Sequence, residues 1–221
     1  MSMLRVRAAA MLPAMVLLAA VLPVPAPDAG QVLPQKLAFD VVREGAVVGQ
    51  HRITFHQEGG KLFVHSELAI QVKVLFVTAY RYEQTREEVW RDGKLIAFTS
   101  TTDDDGTRYA ITGAAGPKGI EVTSGKDSWM LPAESLPASY WNVSMVAGHS
   151  PLVDPQSGKV LDARFIKVGQ EAVEAGGEKI AATHYTIAGE RPHDVWYDAS
   201  GRWVRLRTLA PDGSVAEWVL K

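Results

Sequence analysis

The sequence predicts an all-β protein: a mainly antiparallel meander whose long sheet curls into a half-barrel or barrel. Three observations carry this. Short runs of alternating polar and apolar residues recur along most of the chain, the pattern a half-buried strand requires. Turn pairs such as Asp92-Gly93, Asp105-Gly106 and Asp212-Gly213 separate the runs, and Asp-Gly between alternating segments is a strong hairpin signal. Only one stretch, near Tyr140, breaks the rhythm.

The first element is a leader. Arg5 and Arg7 precede an uncharged, largely apolar run from Ala8 to Val24. A charged start followed by an apolar run is the pattern of a secretory signal. Residues 1–29 are therefore read as a signal peptide, and 30–221 as one β-rich periplasmic domain. Val24-Pro25-Ala26 offers a small-x-small cleavage site, but Pro27 follows it, so a cut near Ala29 or Gly30 competes. Pro13 interrupts the run, which is marginal for a span of about 20 apolar residues. Retention as an uncleaved N-terminal anchor is the other reading.

The strands follow in order. Leu37, Phe39 and Val41 point one way, and a turn at Arg43-Glu44-Gly45 ends the run. Val47, Ile53 and Phe55 share a face in the second run, which Gly59-Gly60 closes. The third run is the cleanest: Leu62, Val64, Leu68, Ile70 and Val72 share one parity, with Ser66 and Phe63 as exceptions. Further runs lie at 80–91, 95–102, 108–112, 119–124 and 128–131. After the break come 160–168, 180–187, 193–197, 203–209 and 215–220. In the break, Leu136, Tyr140, Trp141, Val143, Met145 and Val146 have helical spacing. This predicts one short helix around residues 135–147, begun near Ser135 with Pro137 in its first turn. About twelve strands cannot stay flat, so the sheet curls or splits into two layers.

Composition narrows the function. The chain has 23 basic and 25 acidic residues and a net charge of −2. It has no Lys/Arg block, which excludes an electrostatic nucleic-acid footprint and a polybasic membrane patch. Cysteine is absent, which excludes disulfides, thiolate metal sites and a lipidated N-terminal cysteine. Stability must come from a hydrophobic core, and about 190 residues suffice to build one.

No catalytic set or metal-ligand spacing emerges, and no cofactor is implied. Gly148-His149-Ser150-Pro151-Leu152 begins like a nucleophile elbow but ends in Leu, and it is not set on a strand-to-helix turn. Asp103-Asp104-Asp105 lacks the remaining ligands of a calcium loop. Asn142-Val143-Ser144 fits a glycosylation sequon. The aromatics say more. Tyr80, Tyr82 and Trp90 share parity with Gln84, Arg86 and Glu88, which is not a plain core face. Tyr80, Tyr82, Trp90, Tyr140 and Trp141 are the candidate ligand-binding residues, since Tyr and Trp combine apolar area with a polar tip.

Several motifs form an ordered series: Thr78-Ala79-Tyr80-Arg81-Tyr82, Glu88-Val89-Trp90-Arg91-Asp92-Gly93-Lys94-Leu95, Ser100-Thr101-Thr102-Asp103-Asp104-Asp105-Gly106 and Ala138-Ser139-Tyr140-Trp141-Asn142. The series resembles a family of uncharacterised exported proteobacterial proteins, known as a domain of unknown function. The resemblance runs from about Leu37 to Leu220 and implies a periplasmic β-rich protein, without assigned catalytic residues. The curled sheet is also similar in architecture to the half-barrels of periplasmic lipoprotein carriers.

Three functions are therefore expected, in order. The first is a periplasmic binding protein for an apolar or amphipathic ligand, such as a lipid. The second is a structural or protein-interaction module that meets an envelope protein. The third is a hydrolase-type enzyme with dispersed His and Asp residues.

Overall fold

The computed structural model describes residues 33–148, 150–189, 192–210 and 212–221. The expected signal peptide, with its cleavage and anchor alternatives, lies outside them.

Eight strands come first: β1 (Lys36–Arg43), β2 (Ala46–Glu58), β3 (Lys61–Val74), β4 (Val77–Arg91), β5 (Lys94–Asp104), β6 (Thr107–Gly116), β7 (Gly119–Ser124) and β8 (Asp127–Leu131). Three two-residue strands follow: β9 (Leu136–Pro137), β10 (Leu152–Val153) and β11 (Val160–Leu161). The chain closes with β12 (Ala163–Ala175), β13 (Glu178–Gly189), β14 (His193–Asp198), β15 (Trp203–Leu209) and β16 (Val215–Leu220).

Thirteen strands form one antiparallel sheet, ordered β12-β13-β14-β15-β16-β1-β2-β3-β4-β5-β6-β7-β8. The first strand thus lies beside the last: Phe39 pairs with Leu220 and Val41 with Trp218. From there the chain meanders outward to β8 at one edge. It crosses to β12 at the other edge and meanders back. β8 and β12 do not pair with each other, so the sheet is curled but open. The crossing, residues 132–162, holds the small sheet β11-β10-β9.

That crossing is a strap through the inside of the curl. Trp141 is bonded to Glu88 of β4, and the Tyr140 carbonyl accepts from Tyr197 of β14. Side chains from both wings therefore converge on two adjacent residues, which a flat sheet cannot arrange. At Gly158 a Cβ would come within 2.8 Å of both Trp129 and Val122, so only glycine lets the strap lie this close to β7 and β8. Alternation places Phe39, Val41, Ile53, Val64 and Val122 in the interior, where they are almost wholly buried.

The expected helix around 135–147 is reduced to a 3-10 segment, Val143–Ala147. The reason lies in the backbone donors upstream. Leu136 N bonds Pro151 O and Ala138 N bonds Val153 O, both at 2.9 Å, a parallel pairing of β9 with β10 that holds Leu136 and Pro137 extended where a helix would begin. Tyr140 then adopts φ 62°, outside the helical region. Asn142 caps the 3-10 segment, its side chain accepting from Ser144 N; it is only 5% exposed and serves as a cap, not as a glycan acceptor. The expected strand at 160–168 divides at Asp162, and β12 continues to Ala175, carried past a bulge at Lys167/Gly169 by its ladder with β13.

Candidate functional site

Most inward side chains of β4 alternate without a break from one end of the curl to the other. Tyr80 and Tyr82 are half-buried, and Gln84, Arg86, Glu88 and Trp90 are buried. Around the last two, the interior is solid. The indole N–H groups of Trp90 and Trp141 both donate to Glu88 Oε2, at 3.0 and 2.9 Å. Trp141 stands edge-on to Trp90 and to Phe55, each at 5.4 Å. Burial raises the pKa of Glu88, opposed by Arg86 and the two indoles.

Around the first two the interior is hollow. A cavity of about 310 Å³ opens there, within the usual size range of ligand sites. One wall is strap (Ala138, Tyr140, Leu152, Pro155). The facing wall is sheet, with Leu68, Ile70, Ile187 and Leu206. Its lining is mainly apolar with a few polar groups, the composition expected of a small-molecule site.

Three of the five predicted aromatics line this cavity: Tyr80, Tyr82 and Tyr140. The Tyr80 hydroxyl donates to Asp104 Oδ1 at 2.8 Å, which together with burial raises its pKa. Tyr82 accepts from Gln84 Nε2 at 3.0 Å, and burial pushes its pKa up to about 12. Tyr140 pairs through its hydroxyl with His193 Nε2 at 2.8 Å and packs on Trp203. Its strained backbone is held by the Tyr197 bond to its carbonyl.

Trp90 and Trp141 do not join them. At 3% and 5% exposure they are core, and they border a separate recess of about 360 Å³ among the Glu58–Lys61 and Arg91–Gly93 turns at the opposite end. Parity predicts the face of Trp90 correctly, but not the end of the curl at which the space lies.

The polar floor of the cavity holds residues that sequence reasoning left unassigned. His51 of β2 and Arg86 of β4, both 5% exposed, line it. Between them Ser66 of β3 contacts His51 Nε2 at 2.8 Å and accepts from Arg86 Nη2 at 3.3 Å. Arg86 Nη1 donates to the Ala138 carbonyl of the strap at 3.4 Å. Burial, then the nearby Arg86 charge, pushes the His51 pKa down to about 3, so the ring is neutral at pH 7. The available signal was the shared parity of Gln84, Arg86 and Glu88 with the aromatics.

The Asp103-Asp104-Asp105 run has structural duties: Asp103 accepts from Gly106 N at 2.8 Å and Asp104 from Tyr80. No metal-binding cluster of His, Asp or Glu is found among the described residues. His65 and His184 each contact carboxylates, but neither lines the cavity.

An open antiparallel sheet wound round its own strap, with one end packed and the other hollow, defines a β-barrel-like protein. The chain belongs to the family described as domain of unknown function DUF6134, which it matches over residues 39–221. Its fold is similar to that of a solved β-barrel-like protein of domain of unknown function DUF1849 from Brucella abortus. The two share 11% identity and a TM-score of 0.62, over 84% of this chain and 94% of that one. Such a likeness is one of fold. No curated protein matches the chain.

Proposed function

We propose that the protein is a periplasmic carrier that holds an apolar or amphipathic ligand in the hollow end of its curled sheet. The observation that supports this most is the 310 Å³ cavity, with Tyr80 and Tyr82 nearer its exposed end and Arg86 and His51 at its buried end. A core that merely stabilises the fold closes up to near-crystalline density. Here the strap leaves a lined space between itself and the sheet. The test is native mass spectrometry of gently purified, periplasmically expressed protein, with extraction of bound lipid. Adducts are expected, and Ile70→Trp, which fills the cavity, is expected to remove them. Protein that is consistently empty and takes up no fluorescent fatty acid sinks the proposal.

A second reading, an interaction module of the envelope, has one observation in its favour. The β3–β4 hairpin ends in Leu75-Phe76, 87% and 100% exposed, followed by Val77 at 66%. An apolar tip of this kind suits contact with a partner protein. In-cell crosslinking of the wild type against Leu75→Asn/Phe76→Gly checks it: a protein adduct that survives the double substitution unchanged rules the tip out.

A further inference from the structure

One hairpin runs out of the sheet. The last pair of β3 with β2 is Ile70 with Gly49, and the last of β4 with β5 is Tyr82 with Asp104. Residues 71–81 continue beyond both pairs. Among the described backbone groups of the neighbouring strands and turns, only Asp105 N reaches them, at Arg81 O. At about 3.3 Å per residue the tip stands roughly 15 Å beyond Ile70.

The turn at this tip is built against the usual rule. Glu44-Gly45, Gly59-Gly60, Asp92-Gly93 and Asp105-Gly106 are two-residue turns with positive φ at both positions, and each has glycine second. Leu75 and Phe76 make the same turn with two bulky side chains. Positive φ strains any residue that has a Cβ, and strain that is kept points to a use. What it holds out is an apolar tip: Leu75 and Phe76 are almost wholly exposed, and Val77 largely so. Val47 and Leu209 are exposed on the same rim, where β2 begins and β15 ends. At the packed end the turns are flanked by charge instead, Glu58 with Lys61 and Arg91 with Lys94.

The order of residues along the hairpin indicates what it meets. Lys73 and Arg81 are the only charged residues from Leu68 to Tyr82, in a chain of net charge −2. Both are exposed, and Arg81 is paired with Glu83 at the base. Apolar residues thus come first, Lys73 follows about 10 Å behind Phe76, and Tyr80 and Arg81 come after it. A segment that dips about 5–10 Å into a bilayer has this order, with cations and tyrosines at the level of the head groups. A stable protein–protein interface takes about 800 Å² from each partner, more than three side chains on a turn present. At the base of the same hairpin, Ile70, Tyr80 and Tyr82 line the cavity.

We propose that Leu75, Phe76 and Val77 form a membrane-docking finger, which inserts into the surface layer of a phospholipid bilayer and brings the hollow end of the curl to the lipid. This adds a docking step to the carrier reading and is measured apart from it.

Sedimentation of the full mature protein with vesicles of phosphatidylcholine alone, and of phosphatidylglycerol alone, tests it. The wild type is expected to bind both, and Leu75→Asn/Phe76→Gly to bind each at least tenfold more weakly while remaining folded. The chain has no cysteine, so single positions can be labelled. A polarity-sensitive dye on Phe76→Cys is expected to shift to the blue when vesicles are added, and the same dye on Glu58→Cys, at the opposite end, is not. Ile70→Trp fills the cavity and leaves the tip intact, so it is expected to bind vesicles as the wild type does. Equal vesicle binding by wild type and double variant, or an unshifted dye at position 76, overturns the finger. So does a protein adduct at the tip without vesicle binding, which assigns the tip to a protein partner. Vesicle binding by protein that never carries a ligand overturns the carrier reading alone, and ligand adducts without vesicle binding overturn the finger alone.

Discussion

The two ends of the barrel interior are built from the same strands and differ in almost everything else. At one end Trp90, Trp141 and Phe55 pack around the buried Glu88. At the other, Tyr80, Tyr82, Leu68 and Ile70 face open space. The strands do not cause the difference, since β3 and β4 run through both ends with their alternation intact. The strap causes it. It brings Trp141 against Trp90 and Phe55 at the first end, whereas at the second Ala138, Tyr140, Leu152 and Pro155 line the space without filling it. Alternation decides which side chains face inward, and the crossing segment decides whether they meet anything.

The comparison is broken most directly by Trp141→Ala. Removing a buried Trp costs about 3–5 kcal/mol, and Glu88 loses a donor while buried, so a total loss of about 5 kcal/mol is expected in urea unfolding. Trp141→Phe keeps the ring and loses only the N–H, and is expected to cost about 1–2 kcal/mol. A small loss from the alanine variant means that the packed end is not what holds the strap.

His51, at the hollow end, makes stability depend on pH. Its folded pKa of about 3 lies below the usual histidine value of 6.5. The unfolded chain therefore takes up a proton that the folded chain refuses as pH falls from 6.5 towards 3. Stability from this residue is present above 6.5 and drains away below it, on the order of 4 kcal/mol by pH 3 at about 1.4 kcal/mol per unit. Glu88, raised, has the opposite sign: its contribution is lost as pH rises above its ordinary carboxylate range. Unfolding of His51→Leu across this range is expected to show a flatter acid limb than the wild type. An identical limb means that His51 is not buried neutral.

The tip of β3–β4 sharpens the comparison from outside. Leu75 and Phe76 have φ of 48° and 70°, the geometry of a type I′ turn, which Asn-Gly adopts without strain. Leu75→Asn/Phe76→Gly is expected to raise stability by about 1 kcal/mol. A fall instead means that the tip is packed against something. At the hollow end, Leu68→Ala is expected to cost under about 1 kcal/mol, because it enlarges a space already present. If it costs as much as Trp141→Ala, the two ends are not different. The exposed pair Arg52–Glu67 is expected to contribute about 0.5 kcal/mol or less by double-mutant cycle.

Most of the fold is legible in the order of residues. Turn chemistry marked Asp92-Gly93 and Asp105-Gly106, where both residues take positive φ. It did not mark Leu75-Phe76, which makes the same turn with two bulky residues and no glycine. Residues 135–147 of the strap read as a helix because the helical spacing of Trp141, Met145 and Val146 also describes a segment buried on all sides. Of the site, parity placed Tyr80 and Tyr82 on the inner face and flagged Arg86 among them. His51 and Ser66 looked ordinary because each is a single polar residue on its own strand.

By itself the sequence determined the class of fold, the long strands, most of the turns and the inward faces of β1, β3 and β4; on β2 it put Val47 with Ile53, but Val47 is exposed. All of these depend on interactions between residues close in the chain or on a period of two. Only the tertiary structure decided that β1 and β16 lie side by side, that residues 132–162 pass through the curl, and that the interior is packed at one end and open at the other. Those features depend on contacts between residues far apart in the chain, such as Glu88 with Trp141 and Tyr140 with Tyr197. No local pattern carries that information, because the partners acquire their roles only when the sheet has curled around the strap.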